Sequence, residues 1–596
     1  MNDTLVWVLV GIALYWLGAL YLDSQGLLPA YVGTQGPILT IHTKRGKQLL
    51  NLLARPKRFW RAWGNFGLGI ALVVMVGTFL LLVVQAVSVI QNPPAPSVAT
   101  QPRNVLVIPG VNQFLPLSVA PEIMFGLLVG LVVHEGGHAI MCRVEDIEIE
   151  SMGIAALAIL PVGAFVEPDE ESRREADRGS QSRMFAAGVT NNFAIVLVSF
   201  LLLFGPVVGS IAVAPGAAVG GVMPGSAADG KLQAGDRIVA VNGQAVESNE
   251  DLGRTLSTVE GRTVSVELAG GGTASIRRSL LIAGIYTNSP FAGTLDKGDT
   301  IAAVNGTNVH TEEGFYDAVA DRKVATLRTE NGTTATGPVG ALVTVQSSGP
   351  SAKAGLPTSG TVVVTEIDGE RITNSSDLSA TLDRRRPEQT VTVEAYVNGT
   401  PRTYDVTLGQ NANGEAIMGV YVMQGTSGIT LSSFGVQLYP AAQYLSLLGG
   451  QFGNFAGGSL GPVASFLSGM LGVLLLPFAS VSLQTTYNFA GFVAWNGGFY
   501  TAAGGPLSFL GDWGLFLFAN VLFWTGWVNL NLGFFNCIPA FPLDGGHILR
   551  MSTEAIVSRL PTNQGRELTT MVTTTIGLVM LVSLLLMVFG PQLLSG

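Results

Sequence analysis

The chain has 596 residues, of which 48% are hydrophobic and only 12% charged, with 75 glycines and a mean hydropathy of +0.43. A charged share about half that of ordinary globular proteins excludes a conventional soluble enzyme. A net charge of −9 excludes a basic nucleic-acid binder, and two cysteines, Cys142 and Cys537, are too few for a disulfide framework or a thiolate zinc cluster. The composition is that of a polytopic helical protein of the lipid bilayer.

Taken in chain order, residues 5–22 and 67–90 are free of charge, and each is long enough to cross a hydrocarbon core of ~30 Å at ~1.5 Å per residue. Residues 123–142, 184–208, 459–481, 514–538 and 568–590 are further expected spans. The first lacks a basic flank and a small-residue cleavage site, so it reads as a retained span rather than a signal peptide. The loop 23–66 sets Lys44, Arg45, Lys47, Arg55, Lys57, Arg58 and Arg61 against a single acid, Asp23, which assigns it to the cytoplasm. Alternation then puts 209–425 outside the cell. Residues 1–120 are thus an N-terminal transmembrane pair with its loops, and 426–513 a set of glycine-rich membrane segments. For 514–538 to run in the same direction as 123–142, the segment 427–513 must cross an even number of times. Residues 459–481 are one span and 485–508 a second candidate, with a re-entrant pair equally compatible. Residues 551–596 are a cytoplasmic stretch followed by the last span.

The charges concentrate in 209–425, which holds 23 acids and 16 lysines and arginines. This inserted module repeats itself. GDRIVAVNG at 235–243 recurs as GDTIAAVNG at 298–306 and more loosely as GTVVVTEIDG at 360–369, so that Gly243, Gly306 and Gly369 are 63 residues apart. Each copy continues into a short helix with an acidic start, at Asp251, Glu313 and Asp377, and then into β-branched strands. Four N-x-S/T sequons, at Asn305, Asn331, Asn374 and Asn398, fall in the module and fit its exposure outside the cell. The strings resemble PDZ domains appended to bacterial-type proteases, and a generic β-rich sandwich is the other reading. The resemblance implies tandem α+β units at about 211–282, 283–340 (degenerate) and 341–425. In the first, Gly221, Val222 and Gly225 would present backbone to a peptide end.

Residues 134–138 read His134-Glu135-Gly136-Gly137-His138. On a helix, positions i and i+4 share a face, so two imidazoles can hold one zinc ion while Glu135 reaches a water. The preceding residues, 125–133, are wholly apolar, which puts this site at membrane depth, where ionisable groups mark function. Catalytic zinc takes three protein ligands. No third histidine or second zincin helix follows His138. The candidate lies about 400 residues later, in NLNLGFFNCIPAFPLDGGH at 529–547, where Asp544 is the only acid between Asp512 and Glu554. A plain helix cap is the other reading of that aspartate. Prolines and glycines are tolerated there if the backbone lines a cavity.

HEGGH in one span and NxxPxxPLDGG in a later one resemble the site-2 protease family of intramembrane zinc metalloproteases, peptidase family M50. PVGAFVEP at 161–168 and RMFAAGVTNNF at 183–193 add to the resemblance, which covers the catalytic core at about 121–208 and 514–550. It implies one zinc ion per chain on His134, His138 and Asp544, with Glu135 as general base. It also implies contacts of Asn536, Asn191 and Asn192 with an unwound substrate segment, and membrane-embedded β-structure around Gly153, Gly163 and Phe165. His547 is either a partner of that centre or the start of a cytoplasmic helix. The implied activity is cleavage of the transmembrane segment of a single-span protein, already trimmed by another protease. A receptor that captures peptide ends with an inert metal site, and a metal transporter, are the competing readings. The intact HExxH with a distal aspartate argues against the first, and the lack of inverted repeats against the second.

Overall fold

The computed structural model describes residues 3–594 except 30, 36–37, 43, 95–100, 102–103, 105–107, 113, 158–159, 260, 412–413, 452–460, 483–486 and 562. Among the described residues, five helices are long and apolar enough to cross a membrane. The chain starts with helix α1 (Asp3–Ser24) and a hairpin, β1 (Val32–Gln35) and β2 (Ile38–His42). An amphipathic helix α2 (Lys44–Leu53) leads into the first long span, α3 (Lys57–Gln91). Then come α4 (Ala120–Val144), strands β3 (Ile149–Leu157) and β4 (Leu160–Pro168), the short α5 (Glu170–Glu175) and α6 (Arg178–Leu202). The two hairpins merge into one antiparallel sheet of order β1-β2-β3-β4, so β2 covers one side of β3 and β4 is left as an edge.

Three copies of one sheet follow. After β5 (Ile211–Val213), the first contains β6 (Ala217–Val222), β7 (Arg237–Val241), β8 (Gln244–Ala245), helix α7 (Asn249–Thr258), β9 (Thr263–Leu268) and β10 (Thr273–Arg277). The second contains β11 (Leu280–Ile285), β12 (Thr300–Val304), β13 (Thr307–Asn308), α8 (Glu312–Val319), β14 (Val324–Thr329) and β15 (Thr334–Pro338). The third contains β16 (Ala341–Val345), α9 (Pro350–Lys353), β17 (Val362–Ile367), β18 (Glu370–Arg371), α10 (Ser375–Asp383), β19 (Thr390–Val397) and β20 (Thr400–Thr407).

The 63-residue period has a structural cause. Asn242-Gly243, Asn305-Gly306 and Asp368-Gly369 all have positive φ at both residues, the two-residue turn that reverses a tight hairpin. Six residues beyond each asparagine or aspartate, Ser248, Thr311 and Asn374 cap the following helix through a side-chain oxygen.

The end of the module differs from the expected boundary at 425. After the small pair β21 (Gly409–Gln410) and β22 (Ala416–Ile417), three strands return: β23 (Val420–Val422), β24 (Ile429–Ser432) and β25 (Val436–Leu438). They add to the third, second and first copies in that order. Residues 426–438 therefore complete the second and first sheets and are not membrane segments. The middle copy, expected to be degenerate, has the full strand set and its own core around Phe291, Phe315 and Leu327. Buried Arg278 and half-buried Arg371 tie the copies together. Arg278 donates to the Leu256 and Val259 carbonyls and to Ser433 Oγ, and Arg371 donates to the Arg322 and Val339 carbonyls of the preceding copy.

The chain re-enters the bundle through α11 (Ala441–Leu448), α12 (Pro462–Leu475), α13 (Ala479–Ser482) and β26 (Tyr500–Ala502), which pairs with β5. In the expected span 459–481, whose first two residues lie outside the described ones, Pro462–Phe478 is an apolar helix shorter than the five membrane-length ones. The second candidate, 485–508, forms turns and β26, and 485–486 likewise lie outside the described residues. The physical reason is aromatic packing. Tyr439, Tyr444, Phe489, Phe499 and Trp524 are fully buried against one another and against the end of α6. The last elements are α14 (Gly511–Asn536), α15 (Asp544–Val557) and α16 (Gly565–Leu594).

The ends where α3 and α6 begin and α4 ends are clamped by charge. Glu145, just past α4, accepts from Arg183 at 2.8 Å, Ser180 at 3.0 Å and Arg61 at 3.3 Å, with its side chain only 3% exposed. Burial alone would raise its pKa, but the Arg183 and Ser180 hydrogen bonds hold it below the usual carboxylate value. Such a group stabilises the fold above its unfolded pKa of ~4.3 and loses that contribution as pH falls through the lower folded value. Glu145→Ala is expected to cost about 3 kcal/mol by leaving Arg183 without its partner. Thermal unfolding in detergent should show this loss at pH 7 and a smaller gap between variant and wild type near pH 3.

Candidate metal centre

Two histidines and one aspartate from elements ~400 residues apart meet inside the bundle. One nitrogen of His134, one of His138 and one carboxylate oxygen of Asp544 lie within 4.8 Å of one another. His134 Nε2 is 3.1 Å and His138 Nε2 3.4 Å from Asp544 Oδ2, and the two imidazole nitrogens are 3.2 Å apart. Among the described residues this is the one His/Cys/Asp/Glu cluster with such convergence.

Each ligand is aimed by its own element. The histidines are one turn apart on α4, with rings perpendicular at 4.7 Å. Three successive turns of α6 face them. The Met184 carbonyl is 2.8 Å from His138 Nδ1, Gly188 lies under both rings, and Asn192 Nδ2 is 3.3 Å from His134 Nδ1. Both Nε2 atoms face the aspartate, and at His138 the carbonyl on Nδ1 is the kind of acceptor that fixes a metal-ligating histidine. Asp544 opens α15, where the helix dipole favours a carboxylate. The loop 537–543 before it doubles back so tightly that a Cβ on Gly545 or Gly546 would lie 2.5–2.7 Å from the loop's own carbonyls. That is why the motif reads LDGG.

The donor set fits a divalent cation. Two neutral imidazoles and a carboxylate are a common catalytic zinc set, with a position left for water. Asp544 Oδ2 is buried and makes no hydrogen bond, although two ring nitrogens converge on it. An anion at such a place requires a positive partner.

The remaining expected site residues are placed as follows. Glu135 is outside the three-residue cluster, and its Oε2 accepts at 3.1 Å from the Val166 amide on the edge strand β4. Gly163 and Phe165 lie on that strand, Gly163 against Leu131 of α4 and Phe165 edge-on to His42 at 5.3 Å. Asn191 and Asn192 both have partners within the bundle. Asn191 bridges the Val133 carbonyl and the Trp63 indole, and Asn192 is fully buried against His134. Asn536 donates to the Leu532 carbonyl one turn back in α14. Gly221 and Val222 are paired with Gln437 and Val436 of β25, so their sheet edge is already taken, and the free edge belongs to β25. The Gly225 amide is bound to Asp229. His547 lies in the first turn of α15 and stacks flat on Phe185 at 4.2 Å.

Two features escaped the sequence reading. Gly188 is one: it stands inside the RMFAAGVTNNF stretch, and the four-residue spacing of Met184, Gly188 and Asn192 signals its place under the histidines. The other is the β1–β2 hairpin, which carries no motif.

A protein-family model described as Peptidase family M50 matches residues 122–583. An uncharacterized protein of Methanocaldococcus jannaschii is 28% identical over 260 residues, 43% of this chain and 66% of its own length. A Clostridium perfringens protein named "Putative zinc metalloprotease" is 24% identical over 273 residues, 40% of this chain and 77% of its own.

A Cβ added at Gly188 would lie 2.7–2.8 Å from both imidazoles, with rigid helices on either side. Gly188→Ala is expected to lower zinc affinity at least about tenfold, as read by metal content after dialysis against a graded chelator.

Proposed function

Because the chain belongs to peptidase family M50, we propose that it is a zinc-dependent intramembrane endopeptidase that cuts a transmembrane segment of a single-span protein. The observation that carries this reading is the convergence of His134, His138 and Asp544 within 4.8 Å in a bundle of membrane-length helices.

His134, His138 and Asp544 would hold one zinc ion, which lowers the pKa of a water toward ~7 and polarises a carbonyl. Glu135 follows His134 directly, and its carboxylate takes the proton of the attacking water and returns it to the leaving amine. The Val166 amide restricts where that carboxylate can swing. A helical substrate hides its carbonyls in its own hydrogen bonds, so the cleaved segment must be extended. β4 is the edge of its sheet that runs beside α4, which makes it the strand on which an unwound segment can pair. β2 already occupies the other side of β3.

The basic loop 23–66 supports a cytoplasmic position for the ends of α4 and α14 that carry the site. The three tandem sheets, at the opposite ends, would then be extracytoplasmic. Their repeated turn-and-helix pattern supports PDZ-like units, with β23, β24 and β25 as the edges open to a peptide end or as a filter on substrate size. Cleavage of a regulatory protein after a first cut by another protease is the setting that this arrangement suits.

Glu135→Gln is expected to lower cleavage of a tagged single-span substrate by ~10²–10⁴-fold while zinc stays bound. Asp544→Asn is expected to lose both zinc and activity. A gel assay paired with metal analysis separates the two, and cleavage by Glu135→Gln at the wild-type rate would overturn the mechanism. Val166→Pro removes one outward-facing amide from an edge strand, where proline is tolerated. It should slow turnover with zinc content unchanged.

A further inference from the structure

Between α3, α15 and α16 lies a cavity of about 1040 Å³ that none of the three metal-binding candidates lines. Its two ends differ in chemistry. At the end where α6 and α16 begin, Arg178, Arg550 and Arg566 face it together with Glu554. That single carboxylate is shared. It lies 3.0 Å from Arg550 Nε and 3.7 Å from Arg178 Nε, and among the described residues no carboxylate pairs with Arg566. Three guanidinium groups against one anion leave net positive charge at this mouth. The other end is apolar, with Leu82 from α3 and Leu578, Leu581 and Leu584 from α16. Arg566 and Leu578 are about 18 Å apart along the helix.

We propose that this cavity binds one anionic phospholipid, its phosphate among Arg178, Arg550 and Arg566 and an acyl chain along α16. Basic pockets between spans on the side of positively charged loops are suited to anionic head groups. Guanidinium groups pair with phosphate through two parallel hydrogen bonds. A polypeptide occupant is disfavoured by the walls, which are helix and loop and offer no strand edge. The hydroxyls of Thr569, Thr570 and Thr573 already donate to carbonyls of their own helix. The bound lipid would also touch Pro539 and Phe541, and so brace the loop that places Asp544.

The test uses the purified full chain in detergent, equilibrated with equal amounts of phosphatidylglycerol and phosphatidylcholine, with retained lipid counted by native mass spectrometry. Wild type is expected to retain phosphatidylglycerol at least about tenfold over phosphatidylcholine. Arg550→Gln with Arg566→Gln should bring the ratio near one, and Arg550→Lys with Arg566→Lys should largely restore it. No preference in wild type, or an unchanged preference in the double glutamine variant, would overturn the assignment. Full competition by glycerol 3-phosphate would show a phosphate site without a lipid chain, and displacement by an acidic peptide would give the cavity to a polypeptide. Either result overturns the proposal. Because the readout is lipid rather than cleavage, it fails or succeeds separately from the peptidase reading.

Discussion

A carboxylate buried among apolar helices is the constraint on which this structure depends. Asp544 Oδ2 has two imidazole nitrogens within 3.4 Å and no hydrogen bond. Burying such a charge costs several kcal/mol unless an opposite charge meets it. The surrounding architecture fixes the meeting point. Two histidines one turn apart define a line on α4, three turns of α6 hold the rings from behind, and a folded-back loop delivers the aspartate from α14.

Close helix approach makes this possible. Without a hydrophobic force between spans, helices in a membrane associate through small residues and polar contacts. Here α6 passes directly under the metal ligands because residue 188 lacks a side chain. The same approach leaves Asn191 and Asn192 with structural partners: one ties α3, α4 and α6 together, and the other holds His134. Both asparagines therefore have partners within the fold.

The tandem sheets are built by a nested path. The chain runs outward through three copies and then returns, giving one strand to each in reverse order. Every copy is therefore completed only after the third has been made, and the arginines at the junctions bind carbonyls across copies. This makes the array one cooperative unit rather than three separable beads, and its return strands lead directly into the aromatic layer that joins it to α6 and α14.

The candidate metal-binding residues were legible in the sequence because their spacing is set by local geometry. His134 and His138 share a helix face by the 3.6-residue repeat, and the Asn-Gly and Asp-Gly turns impose the 63-residue period. Segments 67–90, 123–142, 184–208, 514–538 and 568–590 announce spans by length and apolarity alone, and the structure has a helix at each. What pairs with what was not legible. The return of 426–438 to the first two sheets, the aromatic packing around the short helix within 459–481 and the capping of β3 by β2 all depend on contacts between distant segments. No local period encodes those contacts. Sequence determined the candidate ligands, the turns and the five long apolar helices, because each follows from a few neighbouring residues. Tertiary structure alone decided that Gly188 must be small and that Asn192 serves a histidine. It also decided that β4 rather than β3 has the free edge, because each of these is settled by which backbone comes within a few ångströms of which.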